Sequence, residues 1–155
     1  MLYCVLSGCT VIEAFPVGEV EATSCRNLDW CSVARGDGSR RKCIARAVQA
    51  GECWVVCERN DPVAPIGYGC LDRSFFGEWL IPLVVVSSEI RRSGAGRQIV
   101  SYLECYSSAE KIFTSTNVSN LPMRQLLSGL GYQHSGMVEN LDPGDPELVF
   151  VKFLS

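Results

Sequence analysis

The stretch 79–103, WLIPLVVVSSEIRRSGAGRQIVSYL, constrains this chain more than any other. Residues 80–86 form an apolar run of mostly branched side chains, too short to cross a membrane and of a length that suits a buried strand. A polar hinge follows at Ser87, Ser88 and Glu89, then Arg91, Arg92, Ser93, Gly94, Ala95 and Gly96. Beyond it Ile99, Val100 and Leu103 recur at helical spacing. The order predicted is strand, glycine turn, helix. Such a junction suits a phosphate. Glycines let the backbone approach a ligand closely, the first N–H groups of a helix are unpaired, and the helix dipole favours an anion.

The type of phosphate is narrowed by what is missing. Gly94-Ala95-Gly96-Arg97 lacks the Gly-Lys-Ser/Thr ending that grips nucleoside triphosphates. A dinucleotide fingerprint wants a third small residue where Ile99 stands. A bare Gly-x-Gly turn is more often plain structure, but here the spacing is Arg91-x-x-Gly94-x-Gly96, five residues after a strand ending at Val86. With its strand and helix, this resembles motif A of the GNAT superfamily of N-acetyltransferases, which wraps the pyrophosphate of acetyl-coenzyme A.

The whole chain sets bounds on that reading. A length of 155 residues predicts a single domain over 1–155. A hydrophobic fraction of 47% with 20% charged residues describes a folded globular chain. The net charge of −3 argues against nucleic acid and leaves a surface tolerant of a cationic amine. Nine cysteines without a Cys-x-x-Cys pair, beside one histidine, predict no metal site. Several sit in apolar runs (Cys53, Cys57, Cys70) and read as buried, reduced thiols of a cytoplasmic protein. Leu6-Ser7-Gly8-Cys9 looks like a lipobox, but no basic residue precedes it and the apolar part is short. No membrane partner is expected.

Elsewhere the pattern is uneven. Residues 2–6 read as a strand, 11–15 as helix or strand, and Pro16, Gly18 and 36–39 as loop. A helix is predicted over 41–50, with Gly51 as its cap. Strands at 53–58 and 66–71 flank a turn at 60–62 and form an antiparallel hairpin, and 75–77 makes the next connection. A short strand is expected at 111–114, then a helix whose apolar positions Met123, Leu126, Leu127 and Leu130 close at Gly131. Tyr132 opens an extended segment, residues 142–146 form an acidic Asp-Pro turn, and 148–154 is a terminal strand.

Asn120, eleven residues before Gly131-Tyr132, resembles motif B of the same superfamily, with Met123 where alanine is usual. The ending SGMVENLDPGDPELVFVK resembles the last hairpin of a bacterial GNAT subgroup. The resemblance covers about residues 52–154. It implies a mixed α/β fold, a central and mostly antiparallel sheet with helices on both faces and the strand 80–86 near its middle. It implies acetyl-coenzyme A as co-substrate. Backbone from Arg91, Arg92, Ser93, Gly94, Ala95 and Gly96 would hold the pyrophosphate, Val84, Val85 and Val86 would pair with the pantetheine arm, and Asn120 would lie beside it. The acceptor would be a small-molecule or peptide amine, and a homodimer is compatible.

Direct attack by an amine needs a proton acceptor. Glu78, at the mouth of the strand, lies two residues from where some relatives carry a catalytic glutamate; an exposed structural acid is its plain alternative. Glu58, Glu139 and His134 are weaker candidates. Many relatives place a tyrosine seven residues after the motif B asparagine as an acid for the leaving thiolate, and here that residue is Leu127. Two other readings stay open: a GNAT-fold module that binds coenzyme A without catalysis, and an unrelated α/β domain with a fortuitous glycine turn.

Overall fold

A computed structural model describes residues 13–16, 38–58 and 61–154. The elements are β1 (Glu13–Pro16), α1 (Gly38–Gln49), β2 (Cys53–Glu58), β3 (Asp61–Phe75), β4 (Glu78–Val86), a 3-10 turn (Ser88–Ile90), α2 (Ala95–Ser107), β5 (Lys111–Asn117), α3 (Leu121–Gly129), β6 (Gln133–Val138) and β7 (Glu147–Phe153). The strands run in the order β1-β2-β3-β4-β5-β7-β6, with β4 in the middle as predicted. The pairs β1–β2, β2–β3, β5–β7 and β6–β7 are antiparallel, whereas β4 and β5 are parallel, with Leu80 opposite Phe113 and Ile81 opposite Thr114. Mixed α/β with a mostly antiparallel sheet is therefore the fold class. The described residues up to Cys70 with Leu83–Leu103 form one compact unit, and Leu71–Pro82 with those from Glu104 onward form a second.

In the first unit, α1 lays its stripe of Ile44, Ala47 and Val48 on a core of Cys53, Val55, Cys57, Tyr68, Cys70 and Val85. The cysteines act there as small hydrophobes, as expected. Gly38 and Ser39, predicted as loop, are instead the first residues of α1. At its other end Gly51 takes φ +70, its N–H reaches Val48 O at 3.1 Å, and Glu52 N–H reaches Ala47 O at 2.8 Å. This paired capping pattern needs a residue that tolerates a left-handed backbone.

Because Cys53 faces Cys70 and Val55 faces Tyr68, the residues alternating with them on β3, Gly67 and Gly69, point to the opposite face. There α2 packs. A Cβ at Gly69 would lie 2.6 Å from Ile99 Cγ2 and 2.8 Å from Leu103 Cδ1, and one at Gly67 would lie 2.7 Å from Val85 O. Helices thus cover both faces of this unit, and two missing side chains set how closely α2 approaches. Gly69→Ala is expected to destabilise the fold by about 1–3 kcal/mol through overpacking, visible in a thermal melt. An unchanged melting temperature would show that α2 can move outward at no cost.

Other boundaries also differ from the sequence reading. β3 begins at Asp61 rather than at residue 66, so Pro62 and Pro65 lie inside a strand. The ladder accommodates them where it is irregular, with register shifts on both sides of Cys57. Pro16, predicted as loop, ends β1, an edge strand on which a missing N–H is tolerated. Residues 2–6 lie outside the described residues. The β3–β4 connection is a two-residue turn, with φ +53 at Phe76 and φ +81 at Gly77, whose hand matches the twist of the flanking strands.

In the second unit, β5 runs to Asn117, beyond the predicted 114, with Ile112, Thr114 and Thr116 buried on one face. Thr114 Oγ1 donates to Ile81 O at 2.9 Å, a buried tie between β5 and β4. Helix α3 starts at Asn120, whose side chain accepts from Met123 N–H, and Leu127 is its fully buried core residue. Gly131 follows with φ +86. On β7, Lys152 Nζ meets Glu104 Oε2 of α2 at 2.7 Å, and stands 5.7 Å over the Tyr132 ring. Glu104 Oε1 and the Tyr132 hydroxyl are buried and have no hydrogen-bond partner of normal geometry among the described residues. Burial, then the charge and hydrogen-bonding pull of the neighbouring Glu104, push the Tyr132 phenol well above the usual tyrosine range. Among the described residues no helix is long and apolar enough to cross a membrane.

Candidate functional site

The predicted junction forms as drawn from the sequence. β4 ends at Val86, and the next N–H, of Ser87, donates to Ile66 O at 2.8 Å, which anchors the strand end to β3. The chain then turns through Ser88–Ile90, with Ile90 N–H on Ser87 O at 3.2 Å and Ser93 N–H on Ile90 O at 3.3 Å. Arg92 takes φ +68 and Gly94 φ +94. The first bond of α2 runs from Gln98 N–H to Gly94 O at 3.1 Å, so the N–H groups of Ala95 and Gly96 precede the helical ladder.

This geometry fits an anion. A Cβ built at Gly94 would meet nothing within 4 Å, so the requirement for glycine there is the left-handed backbone, and the side it faces is open. Gly96, half-buried, belongs to the first turn of α2. Arg91, Arg92, Ser93 and Gly94 are exposed. Arg91 Nε turns back toward Val86 O at 3.5 Å, a long contact that leaves the rest of the guanidinium to other partners. Of the three valines, Val85 is buried in the core, while Val84 and Val86 are half-buried.

Apart from Glu58, the remaining predicted residues belong to the second unit. Glu78 is the first residue of β4, and its carboxylate pairs with Lys111 Nζ at 2.9 Å, both side chains being more than a third exposed. Asn120 is committed at both ends of its amide: Oδ1 accepts from Met123 N–H at 3.3 Å and Nδ2 donates to Thr116 Oγ1 at 3.0 Å. His134 is exposed on the edge strand β6, edge-on to Phe150 with ring centroids 5.9 Å apart. Glu139 is exposed in the turn after β6, and the side chain of Glu58 lies outside the described ones.

Sequence reasoning missed three partners in this unit. Lys111 had no signal, since it meets Glu78 through the parallel pairing of β4 with β5. Thr116 sits on the buried face of β5 beyond the predicted strand end. Asp145 was visible only as part of an acidic turn, although its carboxylate accepts from Ser119 N–H at 3.0 Å and Ser119 Oγ at 2.6 Å.

Comparison with known proteins adds an independent line. The sequence model of the GNAT acetyltransferase family matches residues 22–132. No curated protein matches the sequence. Among solved structures, a GNAT-family acetyltransferase from Bacillus cereus is 32% identical and superposes with a TM-score of 0.82, covering 94% of this chain and 99% of its own. The ribosomal-protein-S18-alanine N-acetyltransferase from Escherichia coli is 12% identical, with a TM-score of 0.77 over 94% of this chain and 95% of its own. Arabidopsis thaliana Naa50, in complex with the bisubstrate analogue CoA-Ac-MVNAL, is 15% identical, with a TM-score of 0.71 over 92% of this chain and 98% of its own. At such identities the last two are likenesses of fold alone.

Proposed function

The chain belongs to the GNAT family of acetyltransferases, and from that premise we propose that it transfers an acetyl group from acetyl-coenzyme A to a primary amine of a small molecule or peptide. The observation that carries this reading is the junction from Val86 to Gly96: an anchored strand end, a turn open at Gly94, and helix N–H groups ahead of the ladder. The complex of Naa50 with an analogue joining coenzyme A to a peptide supports both the co-substrate and the acceptor class.

Bound acetyl-coenzyme A supplies an acetyl group activated as a thioester. The chain's own residues do the rest. Backbone from Arg91 to Gly96 holds the pyrophosphate, and the two arginines add positive charge. Val84, Val85 and Val86 offer strand backbone on which an extended amide-containing arm can pair as an added strand. Beyond its bonds to Met123 and Thr116, Asn120 keeps one amide hydrogen and one lone pair. Glu78, or water held by it, takes the proton from the amine.

Replacing both glycines tests the cofactor site. Gly94→Val with Gly96→Val is expected to weaken acetyl-coenzyme A binding by more than about tenfold in calorimetry, through the unfavourable dihedral at Gly94 and through side chains placed on the open backbone. Unchanged affinity in the folded double variant would put the anion elsewhere.

Leu127 favours a second reading, a coenzyme A-binding module without catalysis. This fully buried leucine stands where many relatives carry a tyrosine, so no hydroxyl is available from that position. A thiol with a pKa near ~8.5 leaves tolerably without an acid, which is why transfer remains the leading reading. Release of free coenzyme A over a panel of amines separates the two, since the module gives none above background.

A further inference from the structure

In the second unit one face of the sheet carries a row of aromatic rings with Glu78 beside it. Along β5 the buried side chains are Ile112, Thr114 and Thr116, so Lys111 and Phe113 point to the other face. Leu80 lies opposite Phe113 across the parallel pair, which puts Glu78, two residues earlier on β4, on that face as well. Phe153 lies opposite Lys111 across β5 and β7 and shares it too. Lys111 joins the parts: its ammonium meets Glu78 at 2.9 Å and stands 5.8 Å from the centre of the Phe113 ring. Phe113 packs on Phe75 with ring centroids 4.9 Å apart, and Phe75 meets Phe76 edge-on at 5.1 Å. All six of these side chains, Phe75, Phe76, Glu78, Lys111, Phe113 and Phe153, belong to the second unit.

Folding does not account for the outer rings. Phe76 is 92% exposed and Phe153 is 67% exposed. Phe76 also takes φ +53, at a turn position before Gly77 that asparagine or aspartate fills with less strain. A strained ring left in water does not stabilise the fold, which points to a role in contact with a ligand. The carboxylate marks where the amine of that ligand would lie, and the rings mark an apolar substituent next to it. Among the six side chains the single carboxylate already has a lysine partner, so a second ammonium on the ligand would meet Lys111 rather than an acid.

We infer that this aromatic row is the acceptor subsite and selects a primary amine with an aromatic or bulky aliphatic substituent over small or polycationic amines. The inference rests on the reading of Glu78 as proton acceptor given above, and it names the acceptor class for that site. The substituent takes no part in the transfer; it holds the amine beside the carboxylate. Two sources share this chemistry, a free arylalkylamine and a peptide whose first residue is large and apolar.

The test is steady-state release of coenzyme A from acetyl-coenzyme A with 3-phenylpropylamine, propylamine and spermidine, and with the tripeptides phenylalanyl-alanyl-alanine and trialanine. In at least one pair the phenyl-bearing acceptor should exceed its small counterpart in kcat/KM by about tenfold or more, and spermidine should do no better than propylamine. The pair that shows the preference identifies the source. Phe76→Asn and Phe153→Thr should each lower that ratio by about threefold or more, through a higher KM for the phenyl-bearing acceptor. The acceptors' own basicities cancel when one ratio is compared between wild type and variant. Asparagine suits the turn, so Phe76→Asn should melt no lower than wild type, and a lowered ratio there reports lost contact rather than misfolding.

Transfer without preference, or a ratio that neither substitution moves, would overturn the inference and leave the acetyltransferase reading standing. A wild type that dimerises in sedimentation equilibrium, beside a monomeric Phe76→Asn of equal ratio, would overturn it in favour of a second copy on this face. No transfer to either phenyl-bearing acceptor also overturns it, and no transfer across a wider panel of amines takes the acetyltransferase reading with it.

Discussion

Lys152→Met is expected to cost about 3 kcal/mol of folding stability, and adding Glu104→Met in the same chain is expected to restore most of it. Lys152 is the partner of Glu104, whose side chain is only 10% exposed and whose Oε1 has no hydrogen-bond partner of normal geometry among the described residues. Glu104 also sits in the last turn of α2, where the helix dipole is unfavourable to an anion. Removing the ammonium leaves a largely buried carboxylate without its counter-charge. Methionine keeps the packing of the lysine stem, so the loss reports charge rather than volume. With both residues methionine, nothing charged remains to desolvate, and a buried ion pair exchanged for apolar side chains is often neutral. For a chain of this size the single variant should melt roughly 6–12 °C lower. A single variant as stable as wild type would show that Glu104 reaches solvent at little cost.

That cluster also shows why some of the molecule was not legible beforehand. Glu104 and Lys152 stand 48 residues apart, on a helix and a strand whose own patterns are satisfied without reference to each other. Only the third dimension joins them. The same holds for Gly67 and Gly69: alternation predicts their strand, but a helix pressed against absent side chains leaves no trace in a hydrophobic pattern. By contrast, β4, the glycine turn and α2 are local consequences of composition. A branched apolar run, two glycines and a stripe at helical spacing agree with one another. Pro62 and Pro65 misled because proline normally ends a strand, and the ladder irregularity that admits them is set by β2.

The candidate site divides along the same line. The proposed anion-holding part is made of consecutive residues, 86–96, so spacing alone could point to it. The chemistry of the proton depends on what surrounds one carboxylate, and the sequence shows only that a carboxylate is there. Lys111, which decides the setting of Glu78, lies 33 positions further along the chain, as Thr114 lies 33 beyond Ile81 across the same parallel pair.

Glu78→Gln is the second large effect expected, a fall in kcat of about a hundredfold or more with acetyl-coenzyme A binding intact. A primary amine is mostly protonated at neutral pH, and attack on a thioester requires its lone pair. Glu78 opens the strand proposed to run along the co-substrate, and glutamine preserves its size and most of its hydrogen bonding while removing its ability to accept a proton. The pH–rate profile should accordingly lose its acidic limb, because that limb reports protonation of the base. The ion pair with Lys111 supplies the control. Both partners are more than a third exposed, so breaking the pair costs at most about 1 kcal/mol of stability. Lys111→Met removes the same ion pair but keeps the carboxylate, and should hold kcat within about threefold of wild type. Equal losses in the two variants would assign the effect to the ion pair and to the start of β4. Full turnover with an unchanged pH profile in Glu78→Gln would pass the proton to solvent or to Glu58.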